Sequence, residues 1–454
     1  MNAGQWSMAW RNLARNRRRN IATGVAIGLG FAAFMAIGGY VSQVENRLRV
    51  YTIFGTRVGH LTVYKHEGLE RFSTKPIPYS LDAHDLQVIR ATVDGMPDVE
   101  LHGPQLLGMG LVGNGCRSVP FLASGIEPEL DRKLRDHPEM RRWVPDIRDF
   151  IKGRGLWEYP DEVGAIGLAT GLATILNKNK VYDEFPQDHK AVVVADCLAA
   201  DAKQKIASDT NVQLVAGSWS GMMSALDGEV VVHFNSGMTE TNSSAIMMPL
   251  KLLQKLYDTD HATYYSLWLK NAAHLGRDLQ SFRAKLKDAG LNVDVYPWTD
   301  EAVAPFYTGT IQFLSVMTTF IKFVLAAVII FSIFNSATMT VIERSQEIGM
   351  MRSLGFTRRH IRQLFVAEML LLTLLSMLGG GIVGLGGTAV VKMLKVHFNP
   401  PGVAGGLLLR IDPTPTTVLV AASMILMFSV LTTLVAIRAV AKQNIATLLM
   451  GSQR

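Results

Sequence analysis

A chain of 454 residues that is 48% hydrophobic and carries a formal net charge of +7 has room for several domains. Its apolar residues are gathered into separate blocks, however, and that pattern excludes any reading based on the average composition. Four runs, 21–44, 323–341, 369–391 and 414–437, each extend for roughly 19 to 24 residues without a charge, which is the length a helix needs to cross a hydrocarbon core of about 30 Å.

The basic residues are as unevenly placed. Arg11, Arg15, Arg17, Arg18 and Arg19 precede the first run; Arg344, Arg352, Arg358, Arg359 and Arg362 lie between the second and third; Arg438, Lys442 and Arg454 follow the fourth. Over 1–20, 342–363 and 438–454 these segments hold only two acidic residues, Glu343 and Glu347. The excess of positive charge therefore predicts that all three face the cytoplasm. Removing these 13 basic and 2 acidic residues from the totals of 45 and 38 leaves 32 against 36, so the net charge belongs to one membrane face and does not describe a nucleic-acid-binding surface.

In chain order, residues 1–20 predict a cytoplasmic amphipathic helix, with Trp6, Ala9, Trp10, Leu13 and Ala14 opposite Arg11, Arg15 and Arg18. The run 21–44 is too long for a cleaved signal peptide and reads as a retained first span. Residues 45–310 then lie outside as a large α/β domain. Its two ends, about 45–104 and 249–305, each show a strand, helix and strand. Gly59–Tyr64, Leu81–Val93 and the stretch from Val99 form one set; Ser266–Lys270, Leu275–Ala289 and Leu291–Tyr296 form the other. Two such units suggest one layer at the ends and a separate β-rich subdomain, about 105–248, inserted between them.

Within the insert, strands are expected at Ser118–Ala123, Ala191–Ala195, Val212–Ala216 and Glu229–Phe234. Glu162–Leu176 reads as a packed helix and Arg132–Arg142 as a solvated helix and loop. Cys116 and Cys197 both fall in this external domain, where a bridge is chemically permitted; an isolated buried thiol fits the sequence equally well. His60, His102, His233 and His261 read as surface or satisfied core histidines.

The second helix is expected over 306–341. Its roughly 36 residues span about 54 Å, so its outer part reads as a stalk, and Lys322 as a residue reaching for the interface. A loop at 342–368, a third span at 369–391, an extracytoplasmic loop at 392–413, a fourth span at 414–437 and a cytoplasmic tail at 438–454 complete the layout. The predicted fold class is thus a membrane protein of four transmembrane α-helices, one plus three, with the α/β domain between the first and second. Gly24 and Gly28 of the first run and Gly379, Gly380, Gly381, Gly384, Gly386 and Gly387 of the third are placed for close helix packing, within the chain or between subunits.

Chemistry-bearing motifs are missing from the sequence. There is no phosphate-binding loop with its lysine and no Cys/His cluster at metal-ligand spacing. In Gly217-Ser218-Trp219-Ser220-Gly221 a tryptophan stands where a hydrolase would need its nucleophile. No catalytic, cofactor-binding or metal-binding residue is expected.

The 342–368 segment carries the strongest pattern. Asn335, Met339, Val341, Glu343, Arg344, Glu347, Ile348, Gly349, Arg352 and Gly355, followed by Arg358, Arg359, Glu368 and a glycine-rich third span, resemble the signature region of the MacB/FtsX-like family of ABC transporter permeases. The layout and the approach to the stalk look nearest its lipoprotein-releasing (LolC/LolE-like) branch. The resemblance implies a non-catalytic permease of the bacterial inner membrane, with both termini in the cytoplasm, that works by mechanotransmission. No ATPase domain is expected in this chain.

The partners so implied are a cytoplasmic ATPase subunit that binds ATP and Mg, and a second copy or related permease. On the periplasmic side the resemblance implies a lipidated or hydrophobic cargo, with lipoprotein first, and no nucleic acid. Two other functions fit the same family: a force-transmitting regulator of a periplasmic hydrolase or adaptor, and a drug efflux permease. The coupling residues implied are Glu343, Arg344, Glu347, Ile348, Gly349, Met351, Arg352, Leu354 and Gly355. The charged members would form ion pairs along a short helix, and Ile348, Met351 and Leu354 an apolar face for the ATPase.

Overall fold

A computed structural model describes residues 8, 10–13, 17–184, 194, 196–399 and 402–441. Four helices are long and apolar enough to cross a membrane: Asn20–Gly55, Pro305–Glu343, Arg358–Leu394 and Pro415–Arg438. An α/β domain lies in the chain between the first and the second. The chain divides into two compact units, one of Met1–Glu45, Ile311–His397 and Leu408–Arg454, the other of Asn46–Thr310 and Phe398–Leu407.

In chain order the elements are α1 (Arg17–Val50), β1 (Leu61–Lys65), α2 (Ala83–Asp94), β2 (Val99–Gly113), β3 (Ser118–Ile126), α3 (Pro128–Asp136), β4 (Lys152–Gly153), β5 (Ala165–Ala169), α4 (Thr170–Ile175), β6 (Asn211–Gly217), β7 (Met223–Phe234), β8 (Ala245–Pro249), α5 (Leu250–Tyr257), β9 (Tyr264–Leu269), α6 (Leu275–Asp288), β10 (Val293–Pro297), α7 (Pro305–Glu343), α8 (Ser345–Ser353), α9 (Arg358–Leu394) and α10 (Pro415–Ala441).

The α/β unit is built on one ten-stranded sheet. At one end the order is β10-β1-β9-β2 with every neighbour antiparallel, so β1-α2-β2 and β9-α6-β10 are two interleaved split βαβ units of ferredoxin-like type. Helix α2 begins at a capping box, in which the Asp82 carboxylate accepts from Asp85 N and the Asp85 side chain from Asp82 N. Ile89, Val93, Phe282 and Leu286 from the two helices bury against Leu61, Val63, Tyr265 and Leu267 of the sheet.

The middle of the chain closes on itself. From Gln105 onward β2 exchanges β9 for β3 as its partner. The circuit then runs β2-β3-β8-β5-β7-β6 and returns to β2 through Leu111 to Val215. Leu106, Val112, Phe121, Ile166, Leu214, Val230, Ile246 and Met248 fill this small barrel, with α5 packed on it. Closure removes the exposed edges that an open sheet would present.

Several expectations need correction. The insert is not a separate subdomain in its strand pairing, because β2 runs unbroken through both layers. Glu162–Leu176 is not one helix: a 3-10 turn covers Asp161–Val163, β5 occupies Ala165–Ala169, every residue of it buried, and α4 is the α-helical part. A short apolar run carries no periodicity to separate a buried strand from a helix. Nor is Arg132–Arg142 simply solvated, since Arg135 is buried. The loop expected at 392–413 gives residues Phe398–Leu407 to the α/β unit, where Asn235 Nδ2 donates to Ala404 O at 2.9 Å and Thr239 N to Gly402 O at 3.0 Å.

The strand expected at Ala191–Ala195, apart from Val194, and residues Trp6, Ala9, Ala14, Arg15 and Asn16 of the N-terminal helix lie outside the described residues, as do Lys442 and Arg454. Cys116 and Cys197 are joined as a disulfide, with Cα atoms 5.6 Å apart. Gly217–Gly221 forms the end of β6 and the turn into β7. There Ser218 Oγ lies 2.8 Å from Ser220 Oγ, and Trp219 packs against Phe72, Tyr257 and His261.

His60 is a satisfied core histidine with a testable consequence. Its Nδ1 accepts from Leu269 N at 3.0 Å, which places the proton of the neutral ring on Nε2. Burial, reinforced by Arg49 and His137, lowers its pKa to about 4. Folding therefore favours the uncharged ring. Stability is undiminished above the ordinary value of about 6.5, falls as pH drops from there to about 4, and changes no further below it, for a total near 3 kcal/mol. The protection factor of the Leu269 amide, the exchange rate divided into the intrinsic rate at each pH, should fall in the full chain from pH 7.5 to 4.5; His60→Gln, which does not titrate, should flatten the response.

Candidate functional site: the loop between the second and third long helices

Within the helical unit, α1 and α9 run parallel. Their contacts repeat every four residues: Gly24 with Ser376, Gly28 with Gly380, and Ala32 with Gly384. A Cβ on Gly380 would stand 2.2 Å from the Gly28 carbonyl oxygen, so only glycine permits this approach. Ile27, Phe34, Ile329, Ile333, Met369, Leu372, Ala421 and Ile425 bring all four long helices into one core. Thr373 and Ser429 join α9 to α10 by a hydroxyl pair at 2.8 Å.

At one end of this unit, Val341 of α7, Ile348 of α8, Ile361 and Phe365 of α9 and Ile437 of α10 form a small core of their own. Asn12 reaches the same end, its Nδ2 lying 3.5 Å from Glu368 Oε2. Asn12, the stretch from Val341 to Glu368 and Ile437, far apart in the sequence, therefore meet here.

The expected loop is two pieces of helix. Helix α7 stops at Glu343 and α8 starts at Ser345, with Arg344 between them. Helix α8 ends in a Schellman turn: Phe356 N donates to Met351 O at 3.0 Å and Gly355 N to Arg352 O at 3.2 Å. Gly355 supplies the positive φ, +88°, that this turn demands. The Thr357 side chain then accepts from His360 N and starts α9 at Arg358. Residues 358–368 are thus the first three turns of the third long helix, which hydropathy alone begins at 369 because its first turns are charged.

Arg344 is the centre of the arrangement. Its Nη1 donates to Glu368 Oε2 at 2.8 Å and its Nε to Glu347 Oε2 at 2.7 Å. The guanidinium also lies over the Phe365 ring, 5.2 Å from its centroid. Arg344 and Glu368 are both buried. One forked cation therefore binds the junction of α7 and α8 to α9, which a lysine's single ammonium would not reproduce.

This changes the roles expected from sequence. Arg344 looks inward, towards Glu368, and its pairs are not confined to the short helix. Ile348 and Gly349 are buried and Met351 is partly buried, so Ile348 does not offer a face to a partner. The exposed apolar side chains are Ile342, Met350, Leu354 and Phe356, with exposures of 53%, 53%, 77% and 48%. Beside them Glu343, Arg358, Arg359 and Arg362 are exposed, and Arg352 is partly buried. Of the three apolar residues expected at a docking face only Leu354 is fully exposed. Sequence reasoning missed Met350, although its spacing of four from Leu354 places the two on one face of a helix.

Among the described residues no group of three or more His, Cys, Asp or Glu side chains converges to hold a metal ion.

Residues 319–445 match the family model described as FtsX-like permease C-terminal. No curated protein sequence matches the chain. Among solved structures, the chain is similar to the periplasmic region of MacB from Actinobacillus actinomycetemcomitans, with 10% identity over 52% of this chain and 88% of that one and a TM-score of 0.32. It is also similar to the extracellular domain of the noncanonic ABC-type transporter YknZ from Gram-positive bacteria, with 14% identity over 52% of this chain and 98% of that one and a TM-score of 0.30. Likenesses of that strength carry no functional weight. The family match is different in kind, for it covers most of the last three long helices and the Glu343–Gly355 signature between them, and by it residues 319–445 are similar to the C-terminal part of FtsX-like permeases.

Proposed function

We propose that this chain is the non-catalytic permease subunit of a mechanotransmitting ABC transporter. A separate ATPase, binding ATP and Mg, docks on Met350, Leu354 and Phe356 with the arginines beside them, in the cytoplasm of a bacterial cell. A second permease completes the complex, and lipoprotein or another hydrophobic cargo is the load on the periplasmic side of the inner membrane. The observation that carries the reading is the helical turn α8, which offers exposed apolar side chains while its buried face is bound through Arg344 to α9. A push on such a turn is passed to two long helices at once. Both chain termini lie in the cytoplasm by the same charge rule that places this loop there.

A hydrophobic load is supported by the outer wall of the barrel, where Leu107, Met109, Leu111 and Leu122 are exposed on adjoining strands. Coupling is tested by Met350→Asp with Leu354→Asp, which alters exposed side chains only. Copurification of the ATPase should fall at least tenfold while membrane insertion is unchanged; an ATPase that stays bound at the wild-type level sinks the docking assignment. Glu347→Ala with Arg352→Ala should instead leave ATP hydrolysis running and lower cargo release.

A further inference from the structure

Next to the line of contact between α1 and α9 lies an open groove of about 660 Å³. Its walls include Ile21, Val25 and Leu29 on one helix and Leu375 and Val383 on the other. The groove exists because the packing ladder is made of small residues and because Gly379, beside it, has nothing within 4 Å of where its Cβ would stand. Inside, polarity is already used up: Ser376 Oγ donates to Leu372 O at 2.6 Å. At one end sit Trp10 and Asn20, the latter donating to Leu13 O at 3.0 Å.

We propose that this groove holds an acyl chain of an anionic phospholipid, with the phosphate of its headgroup at the Trp10 and Asn20 end. The apolar walls belong to residues of the charge-free runs and exclude a polar occupant. The choice of headgroup comes from charge: five arginines stand between residues 11 and 19, and no acidic residue precedes Glu45. A cationic segment directly before a membrane helix attracts anionic lipid. The same charge disfavours a second copy of this chain as the occupant, because a two-fold axis along the membrane normal would set five arginines against five. The inference rests on the N-terminal segment lying at the cytoplasmic leaflet, which a separate measurement reads.

The experiment uses the full-length protein in nanodiscs containing equal phosphatidylglycerol and phosphatidylcholine, extracted into mild detergent and weighed by native mass spectrometry. Wild type should retain one phosphatidylglycerol per chain, in at least tenfold preference. Gly379→Phe fills the groove from a position where a side chain meets nothing, and should lower retention at least tenfold at unchanged thermal stability. Arg11→Glu should reduce the preference between the two lipids and leave total retention nearly the same. Equal retention of both lipids by wild type, or full retention by Gly379→Phe, overturns the proposal. A cross-link between copies through cysteines placed at Ile21 and Val383 does so as well, by assigning the groove to a second chain. Labelling of Met8→Cys from each side of sealed vesicles tests the orientation independently of the lipid.

Discussion

Replacing Arg344 by alanine is expected to cost about 3–5 kcal/mol, because one partner of a buried, hydrogen-bonded ion pair is removed while the other stays in the protein interior. The guanidinium reaches Glu368 at 2.8 Å and Glu347 at 2.7 Å, and a methyl group replaces neither contact. Arg344→Lys should be intermediate, since an ammonium keeps the charge and loses the planar fork. The exchange Arg344→Glu with Glu368→Arg should recover part of the loss, which neither single change does. Thermal unfolding in detergent measures the stability. ATP hydrolysis and release in the reconstituted complex measure the coupling. If alanine at 344 left both unchanged, the pair would not be what joins α8 to α9.

A loss of similar size is expected in the α/β unit from Asp131→Asn. Asp131 is buried between two arginines, its Oδ1 2.9 Å from Arg57 Nη2 and its Oδ2 2.9 Å from Arg135 Nε. Arg57 also donates to Ser124 Oγ at 3.0 Å, and Arg135 to the carbonyls of Ile147 and Arg148 at 3.0 Å. Arg57 precedes β1 of the split βαβ layer, whereas Ser124 and Asp131 belong to the insert, so the carboxylate joins the two layers. An asparagine would leave two buried guanidiniums without their shared anion, at about 3–5 kcal/mol. Replacing all three residues by apolar ones of similar volume should restore much of that stability.

The pH dependence of this site has the opposite range to that of His60. Burial opposes ionisation of Asp131, but Arg135 and Arg57 outweigh it and hold the carboxyl below its usual range. Its contribution is complete above the unfolded value of about 3.9 and is lost only as pH falls through the lower folded value. Between pH 7 and 5 wild type and Asp131→Asn should therefore differ by a constant amount, while the His60 effect develops within that interval. Denaturant titrations of the two variants at several pH values separate the two.

The four long helices and the strands at both ends of the external segment were legible because hydropathy and periodicity are local properties, summed over neighbours in the chain. The signature from Asn335 to Gly355 was legible for a related reason, as each member keeps a fixed distance from the next. The roles of Ile348 and Arg344 were not. A charged residue beside a helix start looks solvated until the element that covers it is known, and here that element is α9, 24 residues further on in the case of Glu368.

By itself, then, the sequence determined that this is a membrane protein, where its apolar helices run, which segments carry the positive charge, and where a charged turn interrupts them. Tertiary structure decided everything that depends on a partner distant in the chain. It chose the closure of β6 onto β2, the bridge between Cys116 and Cys197, the parallel contact of Gly28 with Gly380, and the inward turn of Arg344. The physical reason is common to all four. Burial and charge act on each residue separately and leave a trace in composition, whereas pairing depends on which of many distant groups the packed chain brings within reach.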